Sequence, residues 1–182
     1  MKQNLIIPSD HKIVLMYEGS AEKAILETLI DNDLLKINRT DLLEEELFQR
    51  CALSKFCKSH MGHEMDNTVV LIRVIDSLRE NVKIPVSYQH KFETKVITIL
   101  TRPEIEILNI LAENKYSDFS KNHHGQRPKE YCIQTLGYKS NYKFNKNYWD
   151  LNNNTHLGLV DSIKEYTRIA NSNEFTLGDL LK

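Results

Sequence analysis

The chain has 182 residues and carries 24 Lys and Arg against 25 Asp and Glu, a formal charge of −1, with 41% hydrophobic and 27% charged residues. That apolar content with so little net charge excludes an intrinsically disordered chain and points to one ordinary soluble domain. The balance also excludes a protein that coats nucleic acid by bulk positive charge.

Lys12–Tyr17 (KIVLMY) is a short apolar, β-branched run, the pattern of a strand buried on both faces of a parallel sheet. Glu18-Gly19-Ser20 breaks it, and Ser20 is a good N-cap for a helix over Ala21–Leu35, where apolar residues recur at helical spacing. Asn38–Asp41 reads as a turn, with Thr40 as a second candidate cap. Leu42–His60 fits either one helix or a short strand around Leu47–Arg50 followed by a helix from Ala52. Thr68–Ile75 (TVVLIRVI) is the clearest strand, ending at Asp76, and Lys95–Leu100 (KVITIL) is a third of the same kind. Pro103 suits the first turn of a helix that continues over Glu104–Asn114, because its missing N–H is not needed there. Further helices are expected over Pro128–Leu136 and Leu157–Ala170, with a helical turn within Phe175–Leu181 and a turn at Asn152-Asn153-Asn154.

Strands alternating with helices predict an α/β fold with a central, mostly parallel sheet flanked by helices. Residues 1–182 read as a single domain, with a core over about 12–114 and a basic, aromatic and helical C-terminal extension over about 115–182.

The near-zero total conceals two opposed regions. Residues 16–50 hold nine acids against four bases, a local balance of −5. Residues 115–149 hold seven bases against two acids, a balance of +5, together with eight of the fifteen aromatics. Interleaved bases and aromatics are how single strands and loops of nucleic acid are held, which marks Arg127, Lys129, Lys139, Lys143 and Lys146 as candidate nucleic-acid contacts. The plainer alternative is that Phe119, Tyr131, Phe144 and Trp149 are core and the lysines a solvated face.

No window reaches the roughly 18 apolar residues of a membrane span, and residues 1–10 lack the apolar core of a signal peptide. Cys51, Cys57 and Cys132 form no C-x-x-C pair, so reduced thiols in a cytoplasm are expected. His60-x-x-His63 lacks a third strong ligand for zinc. No P-loop and no G-x-S-x-G occurs.

In an open parallel sheet ligands bind beyond the carboxyl ends of the strands. Each strand delivers acid there: Glu18 with Glu22 after the first, Asp76 with Glu80 after the second, Glu104 and Glu106 after the third. Gathered carboxylates repel one another, and a hard divalent cation offsets that repulsion. Mg2+ (or Mn2+) is the expected cofactor, able to activate water and neutralise charge at a phosphate. The first turn of a helix favours acids without any metal, so Glu22 and Glu104 have that simpler explanation too.

A hydrophobic strand, Glu18-Gly19-Ser20-Ala21-Glu22 opening a helix, and a strand ending Arg73-Val74-Ile75-Asp76 together resemble the Toprim (topoisomerase–primase) domain. The segment Ile99–Glu106 resembles the strand–Pro–acidic helix of small bacterial Toprim-like proteins, including the RloB-like phage-resistance family and relatives of the overcoming-lysogenization-defect nucleases. The resemblance covers about residues 12–114. It implies Mg2+-dependent cleavage of DNA or RNA, possible phage defence, an acid–base or metal role for Glu18, and metal binding at Asp76, with Glu22, Glu104 and Glu106 completing the cluster. One departure stands out: the usual Asp-x-Asp reads Asp76-Ser77-Leu78, without the second carboxylate. That departure favours the alternative of a non-catalytic Toprim-like module or partner subunit of an ATPase. The same pattern also fits a nucleotide-binding α/β protein.

Overall fold

The computed structural model describes residues 5–8, 10–64, 68–78, 82–93, 96–139, 141–150, 157–171 and 173–182. Glu80, the first residue of the expected Lys95–Leu100 strand and the Asn152–Asn154 turn lie outside the described residues.

Four strands, β1 (Lys12–Tyr17), β2 (Phe48–Gln49), β3 (Val69–Ile75) and β4 (Ile97–Leu100), form one sheet in the order β2-β1-β3-β4. Every pairing is parallel, with Lys12 opposite Val69, Met16 opposite Phe48 and Ile72 opposite Ile97. The two central strands are buried along nearly their whole length, which explains their unbroken apolar runs. Their side chains alternate between two cores. Ile13, Leu15, Val70, Ile72 and Val74 face one. Val14, Met16, Val69 and Leu71 face the other.

The first core is covered by α1 (Ser20–Asp31), through Ile25, Leu26 and Leu29, and by α3 (Ile107–Ala112). The second is closed by α2 (Leu53–His60), through Leu53, Phe56 and Cys57, and by Phe92. The chain is therefore a three-layer α/β fold, as the alternation of strands and helices predicts. The segment 42–60 takes the strand-then-helix alternative.

Two predicted helix starts shift. Gly19, not Ser20, is the N-cap of α1, and Ser20 is its first helical residue. The helix after β4 begins at Ile107 rather than in a turn opened by Pro103. Residues 101–106 are spent differently: Thr101 N–H donates to the Ile75 carbonyl at 3.0 Å, tying this stretch to the end of β3.

Residues beyond 115 belong to the first core. They form α4 (Tyr116–Asn122), α5 (Pro128–Gln134), α6 (Tyr142–Tyr148), α7 (Leu159–Ile169) and α8 (Leu177–Leu180). Tyr131, Trp149, Ile163 and Tyr166 are buried, while Phe119, Tyr138 and Tyr148 pack against the same core. Of the aromatics expected in the core, Tyr131 and Trp149 are interior, Phe119 packs against it, and Phe144 is only half-buried.

The C-terminus stitches distant parts together. Leu100 N–H donates to the Phe175 carbonyl at 2.8 Å beside β4, and Lys36 N–H donates to the Leu180 carbonyl at 2.8 Å in the loop after α1. Leu180 is fully buried there. Truncating a buried leucine removes its transfer energy and leaves a cavity, so Leu180→Ala should cost about 3 kcal/mol. Urea unfolding is expected to show a lower midpoint with an unchanged slope.

Candidate active site

Parallel pairing brings the carboxyl ends of β1, β3 and β4 to one edge of the sheet, and the acids that follow them meet in one open cleft of about 230 Å³. Glu18, Glu22, Asp76, Glu104 and Glu106 all line it, with Arg127 and Lys129 across from them. The three acid-bearing strand ends expected from the sequence therefore converge.

The acids differ in how they are held. Glu18 bridges two neighbours: its Oε2 accepts the Asp76 N–H at 3.2 Å, and its Oε1 pairs with Arg50 Nη1 at 3.2 Å. Arg50 sits just past β2, where its N–H donates to the Tyr17 carbonyl at 2.7 Å and extends the ladder. The Asp76 carboxylate takes no hydrogen bond or ion pair among the described residues.

Glu22 folds back at the start of α1, where its Oε2 accepts the Gly19 N–H at 3.0 Å. A Cβ at position 19 would stand 3.0 Å from that same oxygen, so glycine leaves room for the return. Only 7% of Glu22 is exposed. Burial pushes its pKa from 4.5 up to about 7, with further upward pressure from the Glu106 and Glu18 charges. Glu106 is likewise pushed up, by burial first and by Glu104 next, with Lys129 and Arg127 opposing.

Glu104 is anchored. Its Oε2 accepts the Lys129 N–H at 3.0 Å and its Oε1 pairs with Arg127. Lys129 lies in the first turn of α5, where exposed N–H groups favour an anion. Glu104 thus pins the start of the basic segment to the end of β4. Cys132, also on α5, donates its thiol to the Glu106 carbonyl at 3.6 Å. Burial, then the Glu106 and Glu104 charges, push that thiol up to about 12, so it stays protonated and is no nucleophile.

The five predicted basic contacts separate. Arg127 and Lys129 face the carboxylates. Lys146 pairs with Asp31 at 3.1 Å, at the opposite end of α1 from the cleft. Lys139 and Lys143 are exposed. Arg50 was not singled out from the sequence, although a strand ending near it carries its own signal: in a parallel sheet that end reaches the same edge. His60 is occupied with Glu44 at 3.0 Å.

Among the described residues, no three His, Cys, Asp or Glu side chains stand together to grip one metal ion. The charged oxygen donors in the cleft are carboxylates, which suit a hard cation, and Mg2+ needs only one or two of them alongside water and phosphate. Such donors would suit an open site of few protein ligands rather than a closed cage. Comparison with family models, curated proteins and solved structures gives no match for this chain.

Two outcomes are expected. In metal-free protein the raised Glu22 holds a proton that the unfolded chain has released, so stability is full below about pH 4.5, falls as pH rises, and levels off above about 7. The change is about 3 kcal/mol. Urea midpoints at pH 5 and pH 8 should show this slope, and Glu22→Gln should remove most of it. Separately, Glu104→Ala strips α5 of its anion, and thermal melting should report a loss of about 2 kcal/mol.

Proposed function

We propose that this chain is a divalent-cation-dependent phosphodiesterase acting on DNA or RNA, Toprim-like in the order of its acids. The observation that carries the reading is the meeting of acids from three strand ends in one cleft faced by Arg127 and Lys129. Glu22 and Glu106 are raised by burial and by neighbouring acids, an arrangement a nearby cation would relieve.

Asp76 and Glu18 would hold the cation, Mg2+ or Mn2+, with Glu22 and Glu106 beside them. When bound, such an ion supplies a nucleophile from water near neutral pH and neutralises charge on the phosphate. The chain's own residues do the rest. Arg50 and the Asp76 N–H fix the Glu18 carboxylate in one orientation. Arg127 and Lys129 offer two positive charges at the mouth, where a phosphate backbone is drawn in and oriented. Glu104, taken up by Arg127 and the Lys129 N–H, would hold that basic edge in place beside the other carboxylates.

A second reading, a non-catalytic module that serves a partner such as an ATPase, is favoured by Ser77-Leu78 in place of the second acid of the Toprim pattern. Ser77 and Leu78 line the cavity next to the cleft together with Asp76, so no carboxylate follows at once to share the ion.

The test is cleavage of labelled single- and double-stranded DNA and RNA with Mg2+ or Mn2+. Wild type should cut, EDTA should stop it, and Glu18→Ala and Asp76→Ala should each lose at least about 100-fold in rate, the scale of losing electrostatic stabilisation at a transition state. Activity surviving both substitutions rules the mechanism out. No cleavage and no cation binding by calorimetry, with retained association to a partner protein, selects the module.

A further inference from the structure

Three cavities adjoin one another through shared lining residues, beginning at the carboxylates. The acidic cleft shares Asp76 and Arg127 with a wider open cavity of about 640 Å³. That cavity in turn shares Arg102 and Pro103 with another of about 430 Å³. The last differs in chemistry from the first. Its walls include Tyr116, Phe119 and Tyr166, and Ile169 at the end of α7 stands 41% exposed beside them. Glu174 is the one acid among its described lining residues, and Arg102 Nη1 pairs with it at 3.2 Å.

We infer that this series of cavities is a track for an unpaired strand, with one base seated against Tyr116, Phe119 and Ile169 and the adjoining phosphates led past Arg102 and Arg127 to the carboxylates. The inference rests on the reading that the acidic cleft meets a phosphodiester. It adds the form of the substrate, a single strand or a flipped nucleotide, and the place that selects it.

The alternation of surface types is the argument. Aromatic faces accept any base by stacking, and guanidinium groups accept phosphates, so aromatic wall and cationic junction in sequence match base and phosphate along a strand. A cavity of about 430 Å³ falls within the usual range for a small bound group. A base inside a duplex is stacked and paired and cannot enter such a pocket without being turned out. Arg102 is held at the junction by Glu174 while its side chain stays 43% exposed, and Arg127 stays 64% exposed beyond its pairing with Glu104. Both cations are thus positioned yet open to a passing phosphate. A purely apolar ligand would gain nothing from that junction.

The experiment is fluorescence anisotropy of the full chain in Mg2+ with a labelled single strand and its blunt duplex, strand integrity being followed by gel in the same samples. The single strand should bind at least about tenfold tighter than the duplex. Tyr116→Ala and Ile169→Glu should each cost about tenfold on the single strand and leave duplex affinity unchanged, the size of losing one base stack. Because a core-facing substitution can disturb folding, the ligand provides an independent measure: abasic positions introduced one at a time should cost about tenfold at one position and little elsewhere. Equal affinity for the two forms, or no sensitive position, overturns the track. A single-strand preference with one sensitive position and no cleavage supports the track and removes the phosphodiesterase. Cleavage without that preference keeps the enzyme and removes the track.

Discussion

Parallel pairing of β1, β2, β3 and β4 obliges the chain to return across a face of the sheet after every strand, and most else in this molecule follows from that obligation. The returns bury both faces of the central strands, so those strands must be apolar throughout. The polar residues that end them have only the strand termini to occupy. All the termini of one polarity lie on one edge, and acids far apart in the chain become neighbours there.

Such a gathering is unfavourable on its own terms, and the structure shows how part of it is offset. Arg50 neutralises Glu18 from the neighbouring strand, and α5 presents N–H groups and Arg127 to Glu104. At Glu22 and Glu106 burial outweighs the offsetting Gly19 N–H and the nearby Lys129 and Arg127 charges, and both hold protons more tightly. Two acids of the acidic region, Glu18 and Glu22, and two bases of the basic region, Arg127 and Lys129, thus meet in one cleft, while the remaining charges of both regions lie outside its lining.

The central sheet was legible because β-branched runs at 12–17 and 69–75 have few alternatives, and the acids at their ends were legible for the same reason. The start of α1 was misplaced by one residue because Ser20 is the better cap by side chain. Gly19 holds the position because Glu22 folds onto its N–H. The helix after β4 starts late because Thr101 is tied back to Ile75, a tertiary contact invisible to local pattern. The basic segment was legible as a charge excess but not as a surface. Helices α4 and α6 are short and weakly patterned, and which lysines face the acids depends on the Glu104 anchor. Lys146 reads like Lys129 in the sequence, yet it lies at the other end of α1.

The backbone of Phe175 forms a bridge to Ile99 on the outer side of β4. At the far side of the sheet, β2 is only two residues long. Exposed strand edges are templates for pairing with other chains, and very short or covered edges are the usual protection against it. A second copy of this protein seeking to extend the sheet would find one rung already taken on one side and a ladder of two residues on the other. The C-terminal stitch that holds the fold closed also serves as a guard against aggregation.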